Sequence, residues 1–370
     1  MPNIPASSRP DGDPRYTLAS LLAPPQLVRL AAIGAVVGAV AASFAWTGGF
    51  FSPDRLDQTR MIDAFEAANG PHPGFRRNHA KGVCLEGYFD SNGAGARLSK
   101  AEVFQPGRVP VFGRFALAGG LPMIPDGPTI VRSMALNFSL PDGEAWRTGM
   151  NDIPVFPLRT PQAFYDQLVA AKPDPKTGRP DPQLLAAFQA AYPETVRATA
   201  VIRAHGFSSG FANATYNGLD AFLFTSAAGT TTPVRWSMEP VDAFAPAAAA
   251  PTADRNYLFD ALIARVHDAP AKWHLILTVG QPGDPTDDAT QPWPPERERI
   301  DAGVLSVTRI VAEGDGNCRD INFDPLVLPD GIAPSDDPLL SARSAAYSTS
   351  FTRREGETKI PSAIQTARRP

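Results

Sequence analysis

The stretch RRNHAKGVCLEGYFD, residues 76–90, places a histidine at the start of a run of apolar and aromatic residues. Such a run predicts a β-strand. His79 is then either a solvated side chain at the end of the strand or an imidazole placed where a proton is moved, because imidazole titrates near neutral pH. Two arginines and an asparagine directly precede it, and the remaining sequence bears on which interpretation is correct.

Eight strand-like runs are predicted, in two groups of four with a helical insertion between them. They cover residues 79–90, 109–119, 129–140, 152–159, 215–227, 232–241, 272–280 and 302–311. Helices are predicted over 52–70, 160–172, 182–204 and 257–269, the first with Ser52 as N-cap and Pro53 as first helical residue. Eight antiparallel strands suit a closed barrel that is filled by side chains or holds one flat ligand. We therefore expect an α+β fold: an eight-stranded antiparallel β-barrel with a helical insertion and surrounding helices.

The N-terminal region has the pattern of an export signal. No charged residue occurs from Leu30 to Pro53, the segment 30–46 is apolar almost throughout, and Arg9, Arg15 and Arg29 precede it. This order predicts a membrane anchor or a cleaved signal peptide, with a buried core helix as the alternative. We expect residues 1–50 to form a tail with this segment, and residues 51–370 to form one domain on the periplasmic side.

Charge and cysteine content exclude two classes of function. A net charge of −4, without a basic stripe interleaved with aromatic residues, argues against nucleic-acid binding. Cys84 and Cys318 are the only cysteines, and no CxxC or Cys/His cluster that would hold a structural zinc ion is present. Two buried free thiols are expected, although an exported protein could pair them.

The C-terminal stretch INFDPLVLPDGIAPSDDPLLSARSAAYSTSFTRR, residues 321–354, contains a tyrosine that suits metal ligation. Arg343 and Tyr347 are spaced i, i+4, which places them on one face of a helix. The positive charge of the arginine favours the phenolate form of the tyrosine. A phenolate oxygen is one of the recognised axial ligands of haem iron.

These motifs together resemble the haem catalases. The matching segments are His79-Ala80-Lys81-Gly82, Gly87-Tyr88-Phe89, the Phe-Asp-Pro and Pro-Ser-Asp runs of the C-terminal stretch, the Arg343 and Tyr347 pair, and GMNDIPVF at 149–156. They occur in the family's order and at compatible spacing, and the resemblance covers roughly residues 55 to 355. The chain ends shortly after the tyrosine helix, as in the small catalase-related peroxidase branch.

The resemblance implies a haem b site and assigns roles to particular residues. His79 would move the peroxide proton as acid and base, Asn151 would hydrogen-bond the peroxide, and Tyr347 would ligate iron. The other cofactor-binding residues implied are Arg343, which would hold Tyr347 ionised, Arg76, Arg114 and Arg354 at the haem propionates, and Phe156 and Phe164 against the ring.

The chain departs from the catalase pattern close to the histidine. Asn78 stands where catalases have an apolar residue, and Val83-Cys84-Leu85 replaces small residues. Ala116 stands where a serine normally holds the distal histidine, so a less firmly oriented imidazole is expected. Ile130 is nearest to the position of the aspartate that lines the peroxide channel. These departures imply weak catalase activity at most.

The function implied is a haem-dependent peroxidase that reduces hydrogen peroxide or organic hydroperoxides with small organic electron donors. One alternative is a haem enzyme that isomerises hydroperoxides, similar to catalase-like allene oxide synthases, and it would need no electron donor. A second alternative is a non-enzymatic haem-binding protein, in which His79 would have no measurable effect. A monomer or homodimer that meets the membrane through its N-terminal segment is expected.

Overall fold

The computed structural model describes residues 24–48, 50, 52, 55–249, 254–316 and 318–365. The chain divides into two compact units, Met1–Leu56 and Asp57–Pro370. The described part of the first unit contains helix α1 (Pro24–Thr47), which encloses the apolar segment 30–46. This helix is long and apolar enough to cross a membrane, a character that signal sequences share. None of its residues is buried, so the alternative of a buried core helix is wrong.

The second unit is built from ten strands and seven helices among its described residues. The strands are β1 (Gly82–Ser91), β2 (Gly107–Leu117), β3 (Arg132–Ser139), β4 (Ala145–Asn151), β5 (Tyr216–Asn217), β6 (Phe222–Thr225), β7 (Thr231–Pro240), β8 (Ala271–Val279), β9 (Arg299–Val311) and β10 (Ile332–Pro334). The helices are α2 (Gln58–Asn69), α3 (Pro161–Ala170), α4 (Pro182–Ala191), α5 (Pro193–His205), α6 (Tyr257–Asp268), α7 (Glu313–Gly316) and α8 (Pro338–Glu355).

Eight of these strands close into an antiparallel barrel, which confirms the predicted fold. Around the barrel the order is β1, β2, β3, β4, β5, β7, β8 and β9, and β9 pairs again with β1. Strand β6 pairs with residues 231–234 of β7, and β5 pairs with residues 237–238 of the same strand. The other edge of β6 pairs with β10. The predicted run 215–227 is thus two short strands, because residues 218–221 leave the regular strand conformation.

Aromatic side chains fill the interior of the barrel. Phe115 on β2 and Trp273 on β8 belong to strands that are not neighbours, yet their ring centroids are 5.8 Å apart. Trp146 stacks on Phe138 with centroids 4.9 Å apart and packs edge-on against Trp236. Eight strands enclose just enough space for such side chains. Side chains therefore occupy the barrel interior, and the outward-facing residues of its strands are available to form a site.

The fourth predicted strand is displaced along the chain. Strand β4 covers Ala145–Asn151, whereas residues 152–159, which were predicted to be a strand, are irregular. Residues 145–151 alternate between half-buried and buried side chains, as a strand with one face on the core does. Pro154 and Pro157 in the predicted run have no amide hydrogen to give to a sheet ladder.

Two helix boundaries also differ from the prediction. Helix α2 begins at Gln58, where the Asp57 side chain accepts a hydrogen bond from Arg60 N at 2.8 Å, so Ser52 is not its N-cap. Pro53 lies outside the described residues. The predicted helix 182–204 is two helices, α4 and α5, because Tyr192 adopts a non-helical φ of −126° before Pro193.

The two cysteines form a disulfide, contrary to the expectation of free thiols. Cys84 on β1 is bonded to Cys318, the first residue of a 3₁₀ turn (Cys318–Asp320), and 234 residues separate them in sequence. Both cysteines are fully buried, with Val311 beside them. Sequence separation carries no information on this proximity, because only the closing of the barrel brings the turn against β1.

Candidate active site

A cavity of about 1280 Å³, including its open mouth, lies on the outer face of the barrel. Its walls come from strands β2, β3 and β4 and from helices α2, α3 and α8. All nine residues that the sequence singled out line it: Arg76, His79, Arg114, Asn151, Phe156, Phe164, Arg343, Tyr347 and Arg354. The structure therefore brings together residues that are spread over nearly 280 positions, from 76 to 354.

His79 occupies a special backbone conformation just before β1. Its φ of 55° is the only positive value of a non-glycine residue among the described positions. The side chain of Asn78 stabilises this turn, because its Oδ1 accepts hydrogen bonds from His79 N and from Gly119 N, both at 2.9 Å. Asn78, one of the departures from the catalase pattern, thus fixes the backbone that carries the histidine.

A serine that sequence reasoning missed contacts both predicted catalytic residues. Ser133 Oγ lies 2.8 Å from His79 Nδ1 and 2.5 Å from Asn151 Oδ1. Ser133 is the direct cross-strand partner of Ala116 on one side and of Asn151 on the other. The expectation that Ala116 leaves the imidazole loosely held is therefore wrong, because the neighbouring strand supplies the hydroxyl. Only the strand register could have revealed this.

The surroundings of His79 favour its neutral form. Burial lowers the pKa of His79 to about 3, and the positive charges of Arg114, Arg343 and Arg76 act in the same direction. A backbone hydrogen bond with Leu117 acts in the opposite direction. The imidazole is therefore available as a proton acceptor at neutral pH.

Buried arginines at one end of the cavity lack sufficient counter-charge. Arg76 Nη2 donates to the carbonyl oxygens of Cys318 at 2.9 Å and Ile321 at 2.7 Å, while its Nε has no partner within the described chain. Arg354 Nε donates to Arg319 O at 3.0 Å, and its Nη2 likewise has no partner there. Burial, and then the charges of Arg354 and Arg114, hold the pKa of Arg76 well below its usual value.

One carboxylate partly neutralises this arginine cluster. Arg114 Nε donates to Glu313 Oε1 at 2.6 Å, and both side chains are almost completely buried. The pKa of Arg354 nevertheless falls to about 10, first because of burial and then because of Arg114. Positive charge held this deeply out of water suits a ligand that carries anionic groups.

Tyr347 stands beside an arginine with its own carboxylate partner. A Cβ atom placed on Gly149 would lie 3.6 Å from both Tyr347 Oη and Arg343 Nη2, so the two groups meet at the same point of β4. Arg343 Nη1 donates to the buried carboxylate of Asp220. Burial disfavours its charged form, but Asp220 and then Tyr347 outweigh burial and raise the pKa of Arg343. Asp220 had no sequence signal.

Apolar side chains complete the cavity. The rings of Phe156 and Phe164 meet edge to face with centroids 5.8 Å apart, and Phe65 of α2 packs on Phe164 at 5.4 Å. Thr160 caps α3 by accepting a hydrogen bond from Ala163 N at 3.1 Å, and this fixes the helix that carries Phe164. The result is an aromatic wall suited to a flat apolar ring.

Comparison with known proteins gives the family. The protein-family model of catalase matches residues 47–362. The catalase-related peroxidase of Synechococcus elongatus is 37% identical over 332 residues, covering 88% of this chain and 95% of that protein. The catalase-related peroxidase of Mycolicibacterium paratuberculosis is 32% identical over 304 residues, covering 81% and 96%. The chain belongs to the catalase family. Within it, the chain falls in the small catalase-related peroxidase branch.

Solved structures agree on the fold. A bacterial catalase superposes with a TM-score of 0.68 at 22% identity, over 82% of this chain and 62% of its own. A fungal catalase gives a TM-score of 0.69 at 17% identity, over 77% of this chain and 60% of its own. The chain thus spans about three fifths of these catalases.

The residues present fit the haem that the family implies. The unpartnered nitrogens of Arg76 and Arg354 are donors that two propionates would satisfy. Tyr347 supplies an oxygen of the type that ligates haem iron, and the aromatic wall of Phe156 and Phe164 suits the porphyrin. Among the described residues, no cluster of three or more His, Cys, Asp or Glu side chains could hold a metal ion without such a group.

Proposed function

We propose that this protein is a haem b peroxidase that reduces hydrogen peroxide or organic hydroperoxides with small organic electron donors. The observation that carries the proposal is the presence of unpartnered buried guanidinium nitrogens, Tyr347 and His79 in one cavity. In the reaction, the O–O bond of ROOH breaks and the peroxide gains two electrons and two protons, forming ROH and water. Two donor molecules each lose one electron and one proton. Bound haem would supply the redox centre between these two half-reactions.

The chain's own residues supply the proton transfers and the binding. His79, kept neutral by burial, would take the proton from one peroxide oxygen and deliver it to the other as the bond breaks. The amide of Asn151 would hydrogen-bond the peroxide and stabilise the developing negative charge. Each donor proton that returns to the cavity would also pass through the imidazole, because a neutral imidazole has one nitrogen that accepts a proton and one that carries a hydrogen.

Other residues would hold the cofactor. Arg76, Arg114 and Arg354 would bind the propionates, and Tyr347 would ligate the iron as a tyrosinate that Arg343 keeps ionised. Because Asp220 holds Arg343 in place, the charge beside Tyr347 is fixed in position. The apolar wall of Phe156 and Phe164 would favour organic hydroperoxides. Ile130, which stands nearest to the position of the channel aspartate of catalases, would favour only weak catalase activity.

The proposal is tested on the full chain, purified in detergent and reconstituted with haem. The expected results are a high-spin ferric absorption spectrum that Tyr347→Phe alters or abolishes, and donor oxidation driven by an alkyl hydroperoxide. Arg147→Ala, outside the cavity lining, is the control that should leave the spectrum unchanged. A chain that takes up no haem would refute the proposal. Conversion of hydroperoxide without a donor would indicate an isomerase instead.

We also propose that the domain 51–370 acts outside the cytoplasm. Disulfides persist in oxidising compartments, and the buried Cys84–Cys318 bond together with the apolar helix Pro24–Thr47 supports export to the periplasmic side. The helix would serve as an anchor or as a cleaved signal peptide. Cell fractionation with N-terminal sequencing distinguishes the two, and a cytoplasmic protein with reduced thiols would refute export. Light scattering tests the proposed monomer or homodimer.

A further inference from the structure

Ser133 occupies a position that gives it a part in the reaction proposed above. Its hydroxyl lies between the two predicted catalytic side chains, 2.8 Å from His79 Nδ1 and 2.5 Å from Asn151 Oδ1. A hydroxyl has one hydrogen to donate and two lone pairs to accept with. The direction of this chain of hydrogen bonds therefore decides which nitrogen of the imidazole carries the proton.

The neighbours of Ser133 make its position rigid. It lies on β3 between Ala116 of β2 and Asn151 of β4, in register with both. Arg132, the first residue of β3, forms a buried ion pair with Asp152, which directly follows β4. Arg132 Nη1 lies 2.9 Å from Asp152 Oδ2, and Arg132 N donates to Oδ1 at 2.7 Å. This pair holds the strands at the point where Ser133 and Asn151 meet.

The acceptor character of Asn151 Oδ1 sets the direction. Because an amide oxygen can only accept, the single hydrogen of the Ser133 hydroxyl points to Asn151. The hydroxyl oxygen then accepts from His79, which requires the hydrogen of the neutral ring to be on Nδ1. Nε2 is left as the proton acceptor, and the Nδ2 hydrogens of Asn151 remain free to donate.

We propose that Ser133 is a positioning residue that fixes both the Nδ1–H tautomer of His79 and the amide orientation of Asn151. The proposal rests on the peroxidase function above. Ser133 performs from β3 the holding role that Ala116, its partner on β2, cannot perform. His79 Nε2 is then a proton acceptor and Asn151 Nδ2 a hydrogen-bond donor before any peroxide arrives, so neither side chain has to reorient during the reaction.

Two variants test this proposal. Ser133→Ala removes the hydroxyl, so the side chains of His79 and Asn151 are no longer held by it. The double variant Ser133→Ala with Ala116→Ser returns a hydroxyl from the opposite strand, because Ala116 lines the same cavity in register with Ser133. The first readout needs no haem: nitrogen-15 NMR of the histidine rings in the full chain reports the tautomer of His79, which is identified among the five histidines by its loss in His79→Gln.

The expected result is an Nδ1–H tautomer in the unmodified chain, a mixture of tautomers in Ser133→Ala, and recovery in the double variant. In the haem-loaded protein, Ser133→Ala should slow the reaction with peroxide by about 10- to 100-fold, because misplacement of a catalytic group by about 1 Å can cost about 100-fold. The absorption spectrum of the haem-loaded protein should not change, because Ser133, His79 and Asn151 are not among the residues proposed to hold the haem.

Three outcomes would overturn the proposal. An Nε2–H tautomer in the unmodified chain would mean that the Asn151 amide is turned round and the chain of hydrogen bonds runs in reverse. An unchanged tautomer in Ser133→Ala would mean that another acceptor, such as the Leu117 backbone, sets it. A double variant no better than Ser133→Ala would show that the hydroxyl is not the group required. A chain without haem or peroxide turnover would instead refute the peroxidase function, while the NMR result still decides the role of Ser133.

Discussion

Removal of the Cys84–Cys318 disulfide should release haem as well as lower stability. The 3₁₀ turn that begins at Cys318 holds two of the three proposed propionate arginines through its backbone. The carbonyls of Cys318 and Ile321 accept from Arg76 Nη2, and the carbonyl of Arg319 accepts from Arg354 Nε. The disulfide fastens this turn to β1, and Cys318 N also donates to Cys84 Sγ at 3.2 Å. Cys84→Ala with Cys318→Ala removes the bond without burying a new polar group.

The size of the stability effect follows from the length of chain that the disulfide closes. A separation of 234 residues gives about 5.5 kcal/mol of loop entropy at 25 °C in the chain-entropy relation, and measured losses commonly fall below that limit. We expect a loss of about 3–5 kcal/mol in the free energy of unfolding. A charge-assisted hydrogen bond contributes about 1.5–3 kcal/mol, so loss of one arginine contact with the haem should accelerate its dissociation about tenfold or more.

The assay pairs urea unfolding with transfer of haem to excess apomyoglobin. Leu275→Ala is the matched control: Leu275 is fully buried on β8, outside the cavity lining, and its truncation costs about 2–5 kcal/mol. This control should lose similar stability yet release haem at the normal rate. Equal acceleration in both variants would show that haem loss follows global stability. An unchanged dissociation rate in the cysteine variant would refute the role of the turn.

Three further predictions concern charge. Because burial lowers the pKa of His79 to about 3, the rate of reaction with peroxide should stay constant between about pH 5 and 8. Stopped-flow measurements test this, and a rate that halves near the ordinary histidine pKa of about 6.5 would contradict it. Burial, and then the charge of Asp220, raise the pKa of Asp337 to about 7. The folded state therefore keeps a proton that the unfolded state releases, so the free energy of unfolding should fall as pH rises from about 4 to 7. Urea unfolding at several pH values should show a weaker pH dependence of the free energy of unfolding in Asp337→Asn, whose side chain can still cap α8. The same pH dependence in the variant and the unmodified protein would contradict the prediction. Arg354→Met keeps the buried volume but removes the charge, so haem should dissociate at least about tenfold faster in the transfer assay. An unchanged dissociation rate would show that Arg354 does not bind a propionate.

The site could be predicted as far as its residues belong to local motifs. Arg343 and Tyr347 are neighbours on a helix by spacing alone, and α8 places them side by side in the cavity. Asp220 and Ser133, in contrast, contact Arg343 and His79 across 123 and 54 positions. No spacing rule reaches such pairs, because barrel closure and strand register decide them.

The sequence by itself determined the class of fold, the strands with clear alternation and the motif residues that surround the cavity. Each is encoded within one turn of helix or one strand, where propensity and periodicity act. Tertiary structure decided that the barrel interior is filled and the cavity lies outside, that Cys84 meets Cys318, and that Ser133 replaces the missing hydroxyl at Ala116. The physical reason is that these are contacts between distant segments, and their geometry exists only once eight strands have paired in one register.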